Sequence, residues 1–174
     1  GRKIKLIDIR KCLKTDETYR DANIDVDLST QLCRKIFTFQ DTFMYLTQGF
    51  IAGTPTNQTT TLGREGSDYT AAILANLLEA ENVTIWKDVP GIMSADPKLY
   101  DDLEIIPKLS YREAIELSNF GAKVIHPKTI KPLQNKRIPL FVKSFLHPEE
   151  HGSVIRDLEE KLKLPPIYIN KDNQ

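Results

Sequence analysis

Apolar and polar positions along this chain fall into runs whose spacing predicts alternating strands and helices. Ile4 to Ile9 alternates basic and apolar residues, the period of two expected of a strand. Asp27 is placed to cap a helix in which Leu28, Leu32, Ile36 and Phe39 or Gln40 recur at helical spacing. Phe43 to Ile51 is aromatic-rich and reads as a second strand. Between Gly53 and Leu62, Pro55, Asn57 and a series of threonines predict an exposed hairpin or flap. The long apolar run from Tyr69 to Leu78 predicts a buried helix from about Ser67 to Glu81, with Ser67 as its N-cap.

The second half repeats the alternation. Val83, Ile85 and Trp86 predict a short buried strand. Ser110-x-x-Glu113 is a capping box, opening a helix that runs to about Phe120 with Gly121 just past its end. Pro127 suits the first position of another short helix through Leu133. Pro139 to Phe145 and Val154-Ile155 read as strands. A charged segment from Asp157 to Leu164 reads as a connecting helix, broken by Pro165-Pro166. Strands alternating with helices predict an α/β fold, with a mostly parallel sheet flanked by helices.

Two polar segments carry the candidate chemistry. In Thr59-Thr60-Thr61-Leu62-Gly63-Arg64-Glu65-Gly66-Ser67-Asp68, two glycines bracket an arginine just before the buried helix. A glycine-containing turn at a helix N-terminus presents free backbone N–H groups to phosphate or carboxylate oxygens. Arg64 adds a planar fork that can grip such an anion with two bonds. The second segment, Lys87 to Lys98, begins where the Val83–Trp86 strand ends, the place at which open α/β sheets bind ligands. Within it, Pro90-Gly91 fits a type II turn and Asp96-Pro97 a second turn.

Composition narrows the class. Of 174 residues, 40% are hydrophobic and 28% charged, which is ordinary for a globular protein. Lys plus Arg and Asp plus Glu each total 24. That balance argues against nucleic acid or an anionic membrane as the main partner. No apolar run approaches the roughly 18 residues of a membrane span. Two cysteines, Cys12 and Cys33, have no metal-like spacing and suit reduced cytoplasmic thiols. His147-Pro148-Glu149-Glu150-His151 lacks the order of a zinc motif, so no metal held by protein ligands is expected.

Taken together, these segments resemble the aspartokinases of the amino-acid kinase family. The likeness is carried by Gly49-Phe50-Ile51-Ala52-Gly53, by Thr59 to Asp68, by Lys87 to Lys98, and by Phe120-Gly121-Ala122-Lys123-Val124-Ile125-His126-Pro127. Upstream, Asp8-Ile9-Arg10, Thr15-Asp16 and Tyr19-Arg20-Asp21-Ala22 are similar to the segment that precedes these motifs in aspartokinases. The chain departs from the pattern at Glu65, where many members have glycine, and at Met93 and Lys98.

The resemblance implies transfer of the γ-phosphate of ATP, accompanied by Mg²⁺, to the side-chain carboxylate of L-aspartate. By position, Arg64 would bind the α-carboxylate of aspartate, with Ser67 and Gly66 near the transferring group. Asp68 would orient Lys123 and a second lysine on a loop upstream of this chain. Lys87, Asp88, Met93, Asp96, Lys98, Lys123 and Val124 would contact nucleotide. Residues 1–156 then correspond to the C-terminal, ATP-binding part of the kinase domain, and 157–174 to a linker and the start of a regulatory domain of the ACT type. The family implies a cytoplasmic enzyme of amino-acid biosynthesis, a homo-oligomer as a whole protein, and an isolated chain without activity. The alternatives are another amino-acid kinase or a non-catalytic nucleotide-binding or regulatory module.

Overall fold

The computed structural model describes residues 1–94, 103–119 and 124–158. The chain divides into two units, Gly1–Glu79 and Ala80–Gln174.

In the first unit, β1 (Ile4–Ile7) pairs in parallel with β2 (Met44–Thr47), from Ile4 opposite Met44 to Ile7 opposite Thr47. The strand ends at Ile7, earlier than the alternation predicts. Asp8 turns the chain by accepting the Arg10 N–H at 3.1 Å, and a 3₁₀ turn follows over Ile9–Lys11. The first helix, α1 (Val26–Ile36), is capped by Asp25, not Asp27. Asp25 has the extended backbone of a cap and accepts the Leu28 N–H at 3.0 Å, which leaves Asp27 inside the first turn.

The single strand expected over Phe43–Ile51 is split in two. Phe50 adopts a left-handed backbone, φ 74°, and breaks the run. After it, β3 (Ile51–Gly53) and β4 (Thr59–Thr61) form the anticipated antiparallel hairpin. The hairpin is not all exposed: Ala52, Thr54 and Thr60 are fully buried. Ala52 lies in the core, and the Thr60 and Thr15 hydroxyls share a hydrogen bond of 2.8 Å. The 19–22 segment runs along β4, with Thr61 N donating to Tyr19 O at 2.8 Å and Ala22 N to Thr61 O at 3.0 Å.

Next comes α2 (Gly66–Leu78), which buries Thr70, Ala72, Ile73, Ala75 and Leu77, as its apolar run predicts. It stops at Glu79 in a left-handed conformation, whose N–H turns back to Ala75 O and Asn76 O. Ile9, Leu13, Phe37, Ala52, Leu62, Ile73 and Leu77 form the core, together with the free thiols of Cys12 and Cys33. Each large side chain buried there contributes about 1.5–3 kcal/mol. Hydrogen bonding to Cys12 and burial push the Cys33 thiol up.

In the second unit, β5 (Val83–Lys87), β6 (Lys108–Leu109), β7 (Leu140–Ser144) and β8 (Ser153–Ile155) form one sheet in the order β5-β7-β8-β6. The β5–β7 and β6–β8 pairs are parallel; β7–β8 is antiparallel. The class is therefore mixed α/β. Two helices that pack together, α3 (Tyr111–Asn119) and α4 (Pro127–Lys136), belong to this unit. The capping box forms as read: Ser110 N donates to Glu113 Oε2 at 2.8 Å and Glu113 N to Ser110 Oγ at 3.2 Å. His126 caps α4 by accepting the Lys128 N–H on Nδ1 at 3.1 Å. That helix runs past Leu133 to Lys136 despite an internal Pro132.

Pro90-Gly91 does not make a type II turn, because Gly91 lacks the positive φ that turn needs. Glycine is required there by crowding instead: a Cβ would lie 2.7 Å from Ser153 Oγ. The Asp96-Pro97 turn, Phe120, Gly121 and residues 159–174 lie outside the described residues, while Asp157 has no regular structure.

Candidate active site

The strongest local construction is the joint between the Gly49-Phe50 turn and the start of α2. Two close approaches make it. A Cβ at Gly49 would lie 3.0 Å from Ser67 Cα, and one at Gly66 would lie 2.6 Å from Phe50 Cδ2 and 3.2 Å from Phe50 Cα. Glycine at both positions lets the turn press onto the helix start. Thr70 closes the joint, since Phe50 N donates to its Oγ1 at 3.0 Å and that oxygen donates to Gly66 O at 2.7 Å.

The helix start itself differs from the reading of the sequence. Ser67 is not the N-cap. Gly63 (φ 74°) and Glu65 (φ 52°) both turn left-handed, and Glu65 becomes the cap without a side-chain hydrogen bond. The helix therefore begins at Gly66, one residue before the serine. This has two chemical consequences. The first amides of α2 are not taken up by a capping side chain, and they sit at the positive end of the helix dipole. The Ser67 hydroxyl, released from capping, is exposed and has no hydrogen bond to a described residue.

Arg64 is also exposed, with no hydrogen bond or ion pair to a described residue. Asp68 is half-buried in the first helical turn. Arg64, Gly66, Ser67 and Asp68 thus lie within one turn and one helical turn. Together they offer a guanidinium, backbone amides that the Glu65 side chain does not cap and a hydroxyl, which suits a carboxylate or phosphate oxygen. Tyr69 follows them, and burial together with the charge of Asp21 raises its phenol above the usual range.

In the second unit, Lys87 is the last residue of β5 and is half-buried, and Asp88 follows it exposed. The chain then folds back over the sheet. Ile92 N donates to Ser153 Oγ at 2.8 Å, Ile106 N to Ile92 O at 2.8 Å, and Met93 bridges to Ile105. Met93 is half-buried. Val124 lines a small apolar cleft with Ile92, Ala114 and Leu117. Asp96, Lys98 and Lys123 lie outside the described residues.

The sequence reading assigned no role to Phe50, Thr70 or Asp21. No local signal marks Thr70, which is an ordinary helical threonine until a turn 20 residues away in sequence meets it.

The chain thus has an α/β fold, with an exposed arginine just before α2 in one unit and charged residues where β5 ends in the other. The amino acid kinase family model matches residues 3–144, and the chain belongs to that family. It is 38% identical over 162 residues to the lysine-sensitive aspartokinase 3 of Escherichia coli K12, covering 92% of this chain and 35% of that protein. It is 41% identical over 155 residues to a bifunctional aspartokinase/homoserine dehydrogenase of Haemophilus influenzae, covering 89% of this chain and 19% of that one. The structure of E. coli aspartokinase III in complex with aspartate and ADP superposes with a TM-score of 0.83, over 90% of this chain and 35% of the other. The chain therefore spans about a third or less of the length of these relatives.

Proposed function

We propose that this chain is the nucleotide-binding half of the catalytic domain of an aspartate kinase, which transfers the γ-phosphate of ATP to the side-chain carboxylate of L-aspartate. Residues 1–156 belong to the kinase domain; 157–174 are a linker and the start of an ACT-type regulatory domain. The observation that carries the reading is Arg64, exposed and without an ion pair to a described residue, beside an uncapped helix start. A guanidinium without an ion pair to a described residue and helix-start amides left uncapped by Glu65 suit a substrate carboxylate and a transferring phosphoryl group. The relatives support the choice of substrate, since one of them holds aspartate and ADP.

Phosphoryl transfer asks a protein for positioning and charge neutralisation more than for covalent chemistry. Arg64 holds the α-carboxylate, the α2 amides and Ser67 face the transferring group, and Asp68 orients Lys123. Lys87, Asp88, Met93, Asp96, Lys98 and Val124 form the nucleotide side. Mg²⁺ arrives with ATP and neutralises phosphate charge. The isolated chain does not turn over aspartate. The whole protein is a cytoplasmic homo-oligomer acting in amino-acid biosynthesis.

Kinetics of the intact kinase carrying this segment test the assignment. Lysine does not reproduce a two-bond guanidinium contact. Arg64→Lys should weaken aspartate use by about tenfold to a few hundredfold, with the ATP KM little changed. Unchanged kcat and KM for aspartate would remove Arg64 from the site.

A further inference from the structure

Cys12 and Cys33 are the two cysteines of the chain, both free and both fully buried in the first unit. Phosphoryl transfer uses neither. They come from different elements. Cys12 closes the 3₁₀ turn that follows β1, and Cys33 lies in the last turn of α1, 21 residues further on.

The 12–14 stretch is laid along α1 and held there at two levels. One turn before Cys33, Ser29 Oγ accepts the Lys14 N–H at 2.8 Å and donates to Lys14 O at 3.3 Å. Asp25 N donates to the same carbonyl at 2.9 Å. Lys14 is thus fixed against Ser29, and this places Cys12 against Cys33. The Cys33 thiol donates to Cys12 O at 3.6 Å, and the two cysteine side chains hydrogen bond to each other. The surrounding core is apolar, with Ile9, Leu13, Phe37 and Leu77 in the same cluster. A core asks only for small apolar side chains at such positions. Two thiols in mutual contact, on backbone anchored from both sides, supply a chemistry that packing does not need. Donation from Cys33 lowers the Cys12 thiol below its usual range, which makes Cys12 the attacking sulfur.

We propose that Cys12 and Cys33 are a redox modification site, which hydrogen peroxide converts to an intramolecular disulfide tying the 3₁₀ turn to α1. The Cys12 sulfur attacks one peroxide oxygen. The O–O bond breaks, Cys12 becomes a sulfenic acid and one water leaves. The Cys33 sulfur then attacks the Cys12 sulfur. The S–S bond forms, the S–O bond breaks, and the Cys33 proton leaves with the hydroxide as a second water. The protein loses two electrons and two protons, and the peroxide is reduced to water. A dithiol reductant reverses the change by thiol–disulfide exchange. Full burial makes the reaction wait on local opening at the end of α1, so it is slow and favours a small oxidant. The proposal is independent of the reaction assigned to the kinase.

The test treats the intact kinase carrying this segment with hydrogen peroxide, blocks the remaining thiols and maps tryptic peptides without reduction. Cleavage after Lys11, Lys14, Arg20 and Arg34 separates Cys12–Lys14 from Asp21–Arg34. The two peptides should appear joined, lighter by two hydrogens than their sum, and should part on treatment with dithiothreitol. Amide exchange across α1 should slow by roughly tenfold or more after oxidation, and return on reduction. Cys33→Ser should show neither the joined peptide nor the slower exchange. Recovery of both peptides with free thiols, at a peroxide dose that fully oxidises free cysteine, would overturn the proposal. So would Cys12 joined to any cysteine other than Cys33, or sulfinic and sulfonic acids without the joined peptide. Exchange that slows equally in Cys33→Ser, or a joined peptide that leaves exchange unchanged, would also overturn it.

Discussion

Phe50 and Thr70 are joined by a hydrogen bond from the Phe50 amide to the Thr70 hydroxyl, 3.0 Å long, across the joint that shapes the helix start. The same hydroxyl donates to Gly66 O at 2.7 Å, so one oxygen serves both sides. Phe50 holds a left-handed backbone at φ 74°, a conformation that costs an L-residue about 1–2 kcal/mol. Close packing on Gly66 and this hydrogen bond offset that cost.

Thr70→Val keeps the shape of the side chain and removes the hydroxyl. The Phe50 amide then loses its partner at a part-buried position, which should cost about 1–3 kcal/mol. Urea unfolding of the chain should show a lower midpoint with the slope unchanged. Amide exchange at Phe50 should accelerate beyond the global change. A variant as stable as wild type, with Phe50 still protected, would show that packing alone holds the turn.

Glu79 closes α2 from a left-handed conformation, φ 55°. Glycine adopts that conformation without the Cβ penalty. Its ion pair with Arg34, 3.1 Å between two largely exposed side chains, contributes about 0–1 kcal/mol. Glu79→Gly should therefore stabilise the chain by roughly 0.5–1 kcal/mol, the balance of the two effects. A thermal melt of both proteins reads this directly, and a lower Tm for Glu79→Gly would contradict it.

Tyr111 links the start of α3 to the residues before β7, its hydroxyl donating to Ile138 O at 2.8 Å. Burial, with the charge of Asp157 added, pushes its pKa up to about 12. An unfolded tyrosine titrates near 10. The folded state thus holds its proton more tightly. That stability is fully present below about pH 10 and is lost as pH rises towards 12. Tyr111→Phe should cost about 0.5–1.5 kcal/mol at neutral pH for the hydrogen bond. It should also flatten the loss of stability between pH 10 and 12. Tyr69, shifted in the same direction, leaves a residual slope. Denaturant midpoints measured across that range check both effects.

Asp68 and Lys123 should act as a unit in the intact kinase. If Asp68 orients Lys123, then Asp68→Asn and Lys123→Ala should each cost most of what the double substitution costs in kcat. A double-mutant cycle on turnover measures this. Simple additivity would separate the two residues.

Much of the fold is legible because its signals are local. The capping box at Ser110 and Glu113, the proline opening α4 and the apolar run of α2 each act within a few residues. Each appears where the pattern places it. Errors cluster where two local solutions compete. Asp25 and Asp27 could both cap α1, and the extended backbone at Asp25 decides between them. Ser67 is a better cap by type than Glu65, yet the left-handed residues at 63 and 65 start the helix before it.

By itself, the sequence determined the alternation of strands and helices, the starts of α3 and α4 and the residue types gathered around Gly63. These depend on propensity and on hydrogen bonds a few positions long. The tertiary structure alone decided that Ser67 is free of capping duty, that Phe50 is held left-handed by Thr70, and that Asp21 faces Gly63. The last two depend on segments 20 or more residues apart meeting at van der Waals distance. Such meetings are settled by the packing of the whole unit, which no short window of sequence contains.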